Sequence, residues 1–313
     1  MKTKTEQVIN EIKKVIIGKD DVAKKILLAM LSGGHVLLED IPGVGKTTIA
    51  LAFSKVLGLD FNRIQFTPDV IASDVVGFTM YDKNKGEFVF KQGAVMCNLL
   101  LADEINRTTS RTQSALLEVM EEKNVTVDGQ TYHLPEPFNV IATQNPLGSY
   151  GTQPLPQSQL DRFMMKISIG YPDFNSQVEI LRERQEEQPL DNITSVITRE
   201  EFIDMQKEVK KLHVADAILE YITSLTEATR NHPLIVQGVS PRGALALSNM
   251  SKAHAYLSGR DYVIAEDVID VFVDTCNHRM IMDQKVQVSN KTAETVLSEI
   301  VEKQDTPDVQ YQV

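Results

Sequence analysis

Residues 35–48 read HVLLEDIPGVGKTT, placing Gly43, Gly45, Lys46 and Thr47 just after a short apolar run. Glycines let a backbone bend closely around an anion, and consecutive N–H groups at a helix start attract negative charge. A lysine there reaches the outer phosphates of a triphosphate, and a hydroxyl beside it ligates Mg²⁺. Lys46 and Thr47 fit those two tasks, with Pro42, Val44 and Thr48 completing the loop. The phosphate-loop pattern asks for its first glycine where this chain has Asp40. That residue opens the loop and does not line its tip.

A phosphate cradle needs a metal-holding acid and a group that activates water. NLLLADE, residues 98–104, ends an apolar run in Asp103 and Glu104. Asp103 suits the metal, through water, and Glu104 suits a general base. VIATQNP ends a further apolar run in Asn145, whose amide can fix the attacking water. Ser240 and Pro241 have the types expected at a helix start. Arg242 therefore sits in a first helical turn, able to project toward a ligand.

The elements that carry these residues follow from periodicity. Helical patterns cover residues 5–17 and 19–31, split by Gly18. Apolar runs at 35–39, 62–66, 98–104 and 138–146 read as buried strands, and a fifth strand follows a short helix within 157–170. Strand–helix alternation of this kind implies an α/β fold with a five-stranded parallel sheet between helices. Residues 77–93 alternate around a Lys-Asn-Lys-Gly turn. Residues 123–137 carry Asp128-Gly129 between two alternating segments, and both stretches read as hairpins. The expected core spans residues 1–172. A charged, proline-containing stretch marks a hinge at 173–195. An all-helical lid follows at 196–303, with helices at 199–211, 215–230, 241–258, 265–280 and 291–303. The tail, 304–313, is expected to be disordered.

Composition sets limits. The 313 residues suffice for two cores, with 42% hydrophobic and 24% charged content. No apolar run approaches the ~20 residues of a membrane span, and the N-terminus lacks a leader's apolar segment, so a cytoplasmic location is expected. A net charge of −11 weighs against a nucleic-acid partner. Cys97 and Cys276 are too few and too isolated for a zinc site, and both are expected to be buried, reduced thiols.

Taken together, LLEDIPGVGKT, RIQFTPDVIASDVVG, LLLADEINRTTSRTQSALLEVMEE, VIATQNPLGSYGTQPLPQSQLDRF and VSPRGALAL resemble the MoxR family of AAA+ ATPases. The resemblance covers nearly the whole chain. An acidic pair before the loop is common in that family, so Asp40 looks like a family feature. The resemblance implies ATP and ADP as ligands, with Mg²⁺. It matches Lys46 and Thr47 to Walker A, Asp103 and Glu104 to Walker B, and Asn145 to sensor 1. Arg162 of LDRF matches an arginine finger serving a neighbouring subunit, with Arg107 and Arg111 as alternatives. Arg242 matches sensor 2. Ile17 and Gly18 match the segment beside adenine. The two hairpins look like those that face a ring's pore, with Tyr81, Lys83, Lys85 and Phe88 as contacts.

The activity so implied is Mg²⁺-dependent ATP hydrolysis at subunit interfaces of a ring, expected to be a hexamer. Its output would be chaperone-like remodelling or maturation of a partner protein, often one with a von Willebrand factor A domain. Two other readings fit the letters less well. A nucleotide-dependent switch or scaffold with little hydrolysis is opposed by the intact Asp103–Glu104 pair. A nucleic-acid motor is opposed by the net charge and by the lack of a dense basic stripe.

Overall fold

The computed structural model describes residues 2–40, 43–145, 152–183, 185, 189–285 and 291–307. Pro42, Pro146 and tail residues 308–313 lie outside them. The chain begins with helices α1 (Lys2–Lys13) and α2 (Asp20–Leu31). The first ends earlier than periodicity suggested, leaving Ile17 and Gly18 in the turn between the two. Strand β1 (Val36–Glu39) leads to the glycine loop and α3 (Lys46–Val56). Then come β2 (Phe61–Gln65), α4 (Ala72–Val76) and a hairpin of β3 (Gly77–Asp82) and β4 (Glu87–Gln92). Strand β5 (Leu99–Asp103) and α5 (Ser110–Glu122) precede a second hairpin, β6 (Asn124–Val127) and β7 (Gln130–His133). The core closes with β8 (Asn139–Gln144), α6 (Gln157–Leu160) and β9 (Met165–Ile167).

The expected five-stranded parallel sheet forms, in the order β2-β5-β8-β1-β9. Alternation along its strands divides the core into two layers, because successive side chains point to opposite faces. Val36, Leu38, Leu99, Leu101 and Ile141 pack on one face, with α1, α2 and α3. Leu37, Leu100, Ala102, Val140 and Ala142 pack on the other, with α5 and Phe163. Central strand β8 is buried at every position, whereas edge strand β2 alternates between half-buried and exposed.

Beyond the sheet lie α7 (Phe174–Glu183), α8 (Arg199–Lys211), α9 (Asp216–Arg230), α10 (Pro241–Leu257), α11 (Ala265–Cys276) and α12 (Ala293–Lys303). Thr198 begins α8 with a reciprocal cap: its hydroxyl accepts from Glu201 N–H, and the Glu201 carboxylate accepts from Thr198 N–H. The region is helical, with one addition that periodicity did not show. Strands β10 (Ile235–Gln237) and β11 (Ile281–Met282) form a small antiparallel ribbon. It arises because α11 ends at Cys276, and the chain then makes a tight turn, Asn277–Arg279, before pairing back. One hydrophobic cluster runs from β1 through α2 into α10 and α11. The N-terminal helices thus pack against both the sheet and the lid.

The hairpin expected at 123–137 turns at Asp128 (φ 49°) and Gly129 (φ 78°), the two left-handed residues that a twist-matched two-residue turn requires. Cys97 and Cys276 are buried free thiols, each pushed up to about 12 by burial. Among the described residues no helix is long and apolar enough to cross a membrane.

Candidate functional site

Parallel strands gather their C-terminal ends along one edge of the sheet, where ligands of open α/β sheets bind. That edge holds the glycine loop after β1, Asp103 and Glu104 after β5, and Asn145 after β8. Gly43 (φ 88°) and Gly45 (φ 92°) adopt left-handed conformations that L side chains rarely take. Among the described residues, a Cβ at either would meet nothing within 4 Å, so both positions face open space. Lys46 heads α3, and its ammonium donates to the Asp40 carbonyl at 2.5 Å. Burial pushes its pKa below the usual lysine value, and Asp40, Asp103, Glu104 and Glu39 oppose that push. Val44 packs against the core, and Thr47 and Thr48 follow, half-buried, in the first turn of α3.

Asp40 turns away from the loop's interior. One carboxylate oxygen accepts from Ile169 N–H and Gly170 N–H at 2.6 Å each, and from the Ser168 hydroxyl at 3.1 Å. The residue that breaks the glycine pattern therefore anchors the chain leaving β9. Its negative charge is engaged there by backbone donors.

Polar residues of the neighbouring strands β2 and β8 hold the acidic pair that ends β5. The Thr143 hydroxyl donates to Asp103 Oδ1 at 2.6 Å and accepts from Glu104 N–H at 2.8 Å. Arg63 on β2 donates to Asp103 Oδ2 at 2.8 Å. Glu104 lies at φ 57°, a conformation uncommon for a residue with a Cβ, and its carboxylate accepts from Arg107 at 2.8 Å and from Asn145 Nδ2 at 3.2 Å. Burial raises the Glu104 pKa, but the Arg107 and Asn145 hydrogen bonds outweigh it and hold the carboxyl below its usual value. Asn106 fixes Asn145 reciprocally, donating to its carbonyl at 3.1 Å and accepting from its N–H at 3.3 Å. Among the described residues, Asn145 Oδ1, beside the Glu104 carboxylate, is buried without a hydrogen-bond partner.

Arg162 and Arg242 lie elsewhere. Arg162 lies three residues before β9, whose first residue pairs with the first residue of β1. It therefore sits at the edge carrying the strands' N-termini, roughly 15 Å from the loop at ~3.3 Å per strand residue. Its guanidinium donates to the Leu117 carbonyl at 2.6 Å and pairs with Glu121 at 2.9 Å. Arg242, in the first turn of α10, pairs with the other oxygen of the same Glu121. A cleft of about 200 Å³ lies beside them, lined by Met120, Met164 and Arg279 among others. Arg107 is engaged by Glu104 on the opposite edge, and Arg111 is exposed in the first turn of α5.

Gly18 packs against α7, where an added Cβ would lie 2.1 Å from Ser176 Oγ. Next to it, Lys19 donates to the Tyr171 carbonyl at 2.8 Å, while Ile17 is half-buried. The two hairpins touch through stacked rings, Phe90 on Tyr132, with centroids 4.0 Å apart. Tyr81 and Phe88 form an exposed edge-to-face pair on the first hairpin.

Sequence reasoning passed over Arg63, Asn106, Glu121 and Thr143. Thr143 had a signal: it is polar in an apolar strand and two positions from Asn145, hence on the same face. Glu121 had none, because one charge among several near the end of α5 looks like solvated surface.

Comparison with known proteins gives concordant matches. The model of the ATPase family associated with various cellular activities (AAA) matches residues 35–165, and that of the AAA lid domain matches residues 227–300. The Bacillus subtilis (strain 168) protein YeaC, described as uncharacterized, is 47% identical over 94% of this chain and 92% of its own. Chaperone MoxR1 of Mycobacterium tuberculosis is 37% identical over 97% of this chain and 82% of its own. A crystal structure of a candidate ATPase from Cytophaga hutchinsonii superposes with a TM-score of 0.90 at 37% identity, covering 98% of this chain and 96% of that one.

Proposed function

We propose that this chain, which belongs to the MoxR family of AAA+ ATPases, hydrolyses ATP at the contacts between subunits of a ring, a hexamer, and uses the cycle to remodel a protein client. The observation that carries the proposal is the separation of its charged groups. Lys46, Glu104 and Asn145 gather at one edge of the sheet, and Arg162 and Arg242 at the other. No single chain in this arrangement can close both sets on one phosphate. A neighbour packed head to tail brings them together, as a heterologous ring contact does.

The residues at the first edge suit the chemistry. Lys46 exchanges the Asp40 carbonyl for phosphate oxygens. Ionised Glu104 accepts a proton from a water that also donates to the open Asn145 Oδ1. Thr47 and, through water, Asp103 are hard oxygen donors of the kind Mg²⁺ takes. When bound, Mg²⁺ neutralises charge on the phosphate oxygens. From the neighbour, Arg162 and Arg242 stabilise charge developing on the transferring group. Such a finger is worth roughly 10³–10⁵ in rate. Residues 1–172 and 196–303 act as core and lid about a hinge at 173–195, and Ile17 and Gly18 flank the base. The two hairpins contact the client at the pore. The name of the MoxR1 relative supports a chaperone role, and a von Willebrand factor A domain protein is the client class we propose.

The test is light scattering on Glu104→Gln, with and without ATP–Mg²⁺. The expected result is nucleotide binding without turnover and assembly into a closed ring. Normal turnover removes Glu104 from its role. A monomer at every concentration leaves Arg162 with no site to serve.

A further inference from the structure

The segment that carries Arg162 is held by the lid through a buried polar cluster. Arg279, in the turn after α11, is 3% exposed, and its guanidinium is turned wholly onto that segment and its own turn. Its Nε donates to Asp161 Oδ1 at 2.8 Å. One terminal nitrogen donates to the Met164 carbonyl at 3.1 Å and to the Thr275 carbonyl. The other donates to the carbonyls of Phe163 at 2.6 Å and Asp161 at 3.3 Å. His278 adds a ring-nitrogen contact to the Phe163 carbonyl at 3.0 Å, and Gln157 donates to the His278 carbonyl at 2.7 Å. The second oxygen of Asp161 accepts from the Ser240 hydroxyl at 2.8 Å. Ser240 is the N-cap of α10, the helix that bears Arg242. Asp161 thus joins both lid attachments at the residue next to Arg162.

A buried guanidinium is costly unless its donors are satisfied. Here each of its three nitrogens has an acceptor, and most of those acceptors are backbone carbonyls of the Arg162 segment. A planar five-donor fork bound to the Asp161, Phe163 and Met164 carbonyls fixes the loop's path as well as its position. Glu121 adds a third tie by bridging Arg162 and Arg242. The segment cannot shift against the lid without breaking several of these bonds together.

We infer that Asp161 and Arg279 are positioning residues that lock the Arg162 segment to the lid, so that the arginines one subunit offers its neighbour move with its own lid. The inference rests on the reading of Arg162 as a residue acting on the neighbouring subunit's nucleotide. Lid rotation about the hinge then drags this core loop against its sheet and withdraws or presents both arginines at the next site, a coupling between sites.

The experiment uses steady-state ATP turnover by the full-length protein and by mixed rings. Asp161→Asn removes the charge that Arg279 and Ser240 share, and Ser240→Ala removes one contact. Asp161→Asn is expected to lower kcat by about 10²-fold, since misplacing a catalytic group by about 1 Å costs that much. KM for ATP should stay within about twofold, because its own phosphate loop is untouched. Ser240→Ala should give a smaller loss of the same kind. Mixing Asp161→Asn with Lys46→Ala subunits should restore turnover, because the second variant presents a sound arginine segment to the first one's sound loop. An unchanged kcat in Asp161→Asn overturns the inference. So does failure of this mixture when Arg162→Ala mixed with Lys46→Ala recovers, and so does loss of folding or assembly, which makes Asp161 a purely structural residue. Failure of the Arg162→Ala mixture itself, with mixing verified, defeats the underlying reading instead.

Discussion

Arg162 and Arg242, eighty positions apart in sequence, hold opposite oxygens of one carboxylate, Glu121. One comes from the loop before β9 and the other from the lid. Two guanidinium groups so close repel unless an anion lies between them. Glu121 supplies that anion.

Glu121→Gln tests this arrangement. The amide keeps the shape and loses the charge, so the two arginines spread apart. We expect kcat to fall by roughly 10-fold, a loss of about 1.4 kcal/mol in transition-state stabilisation. Steady-state kinetics at saturating ATP checks it. An unchanged kcat would show that neither arginine depends on Glu121 for its position.

Separation of the charged groups predicts complementation between dead subunits. Lys46→Ala and Arg162→Ala should each be inactive alone, and rings containing both should recover part of the wild-type rate. Arg242→Ala should behave as Arg162→Ala does, since both arginines share an edge. Titrating one variant into the other while following phosphate release reads this out. Complementation of Arg162→Ala but not of Arg242→Ala would place Arg242 at its own subunit's nucleotide.

Restoring the glycine of the phosphate-loop pattern should harm this protein. Asp40→Gly strips the acceptor from two backbone N–H groups and from Ser168. Leaving buried donors unmet costs about 1–3 kcal/mol each, so a total near ~3 kcal/mol is expected. Chemical denaturation should show that loss with no gain in ATP affinity. Stability equal to wild type would mean that the chain after β9 finds other partners.

His35 predicts an acid-sensitive fold. Its Nδ1 accepts from Val140 N–H at 3.0 Å, which makes Nε2 the donor to the Met120 carbonyl at 3.0 Å. Burial pulls its pKa from 6.5 down to about 4. The unfolded chain therefore binds a proton between those values that the folded chain does not. Stability should fall as pH drops through that window, by up to roughly 3 kcal/mol at ~1.4 kcal/mol per unit. His278 is also held well below its usual value by burial, so wild-type protein carries both contributions. Denaturant melts from pH 7 to 4 should show a shallower loss for His35→Gln. Parallel curves would assign the acid sensitivity elsewhere.

The gathering of the phosphate loop, the Asp103–Glu104 pair and Asn145 was legible because each lies within a few positions of a strand end. Period-two burial then fixes which strands line up. The sheet's two layers follow from the same alternation, seen in Val36, Leu37 and Leu38 facing opposite clusters in turn. The hairpin at Asp128-Gly129 was legible because only left-handed residues make that turn. Local conformational preference and hydrophobic period are properties of short windows, so the sequence by itself determined these features. Tertiary structure decided the rest. Asp40 meets Ile169 and Gly170, Glu121 meets Arg242, and Asp161 meets Ser240 and Arg279. Each pairs groups many tens of residues apart, and a charge carries no mark of the partner it will find. Which arginines share an edge depends on strand order and lid packing, and those depend on the burial of the whole chain.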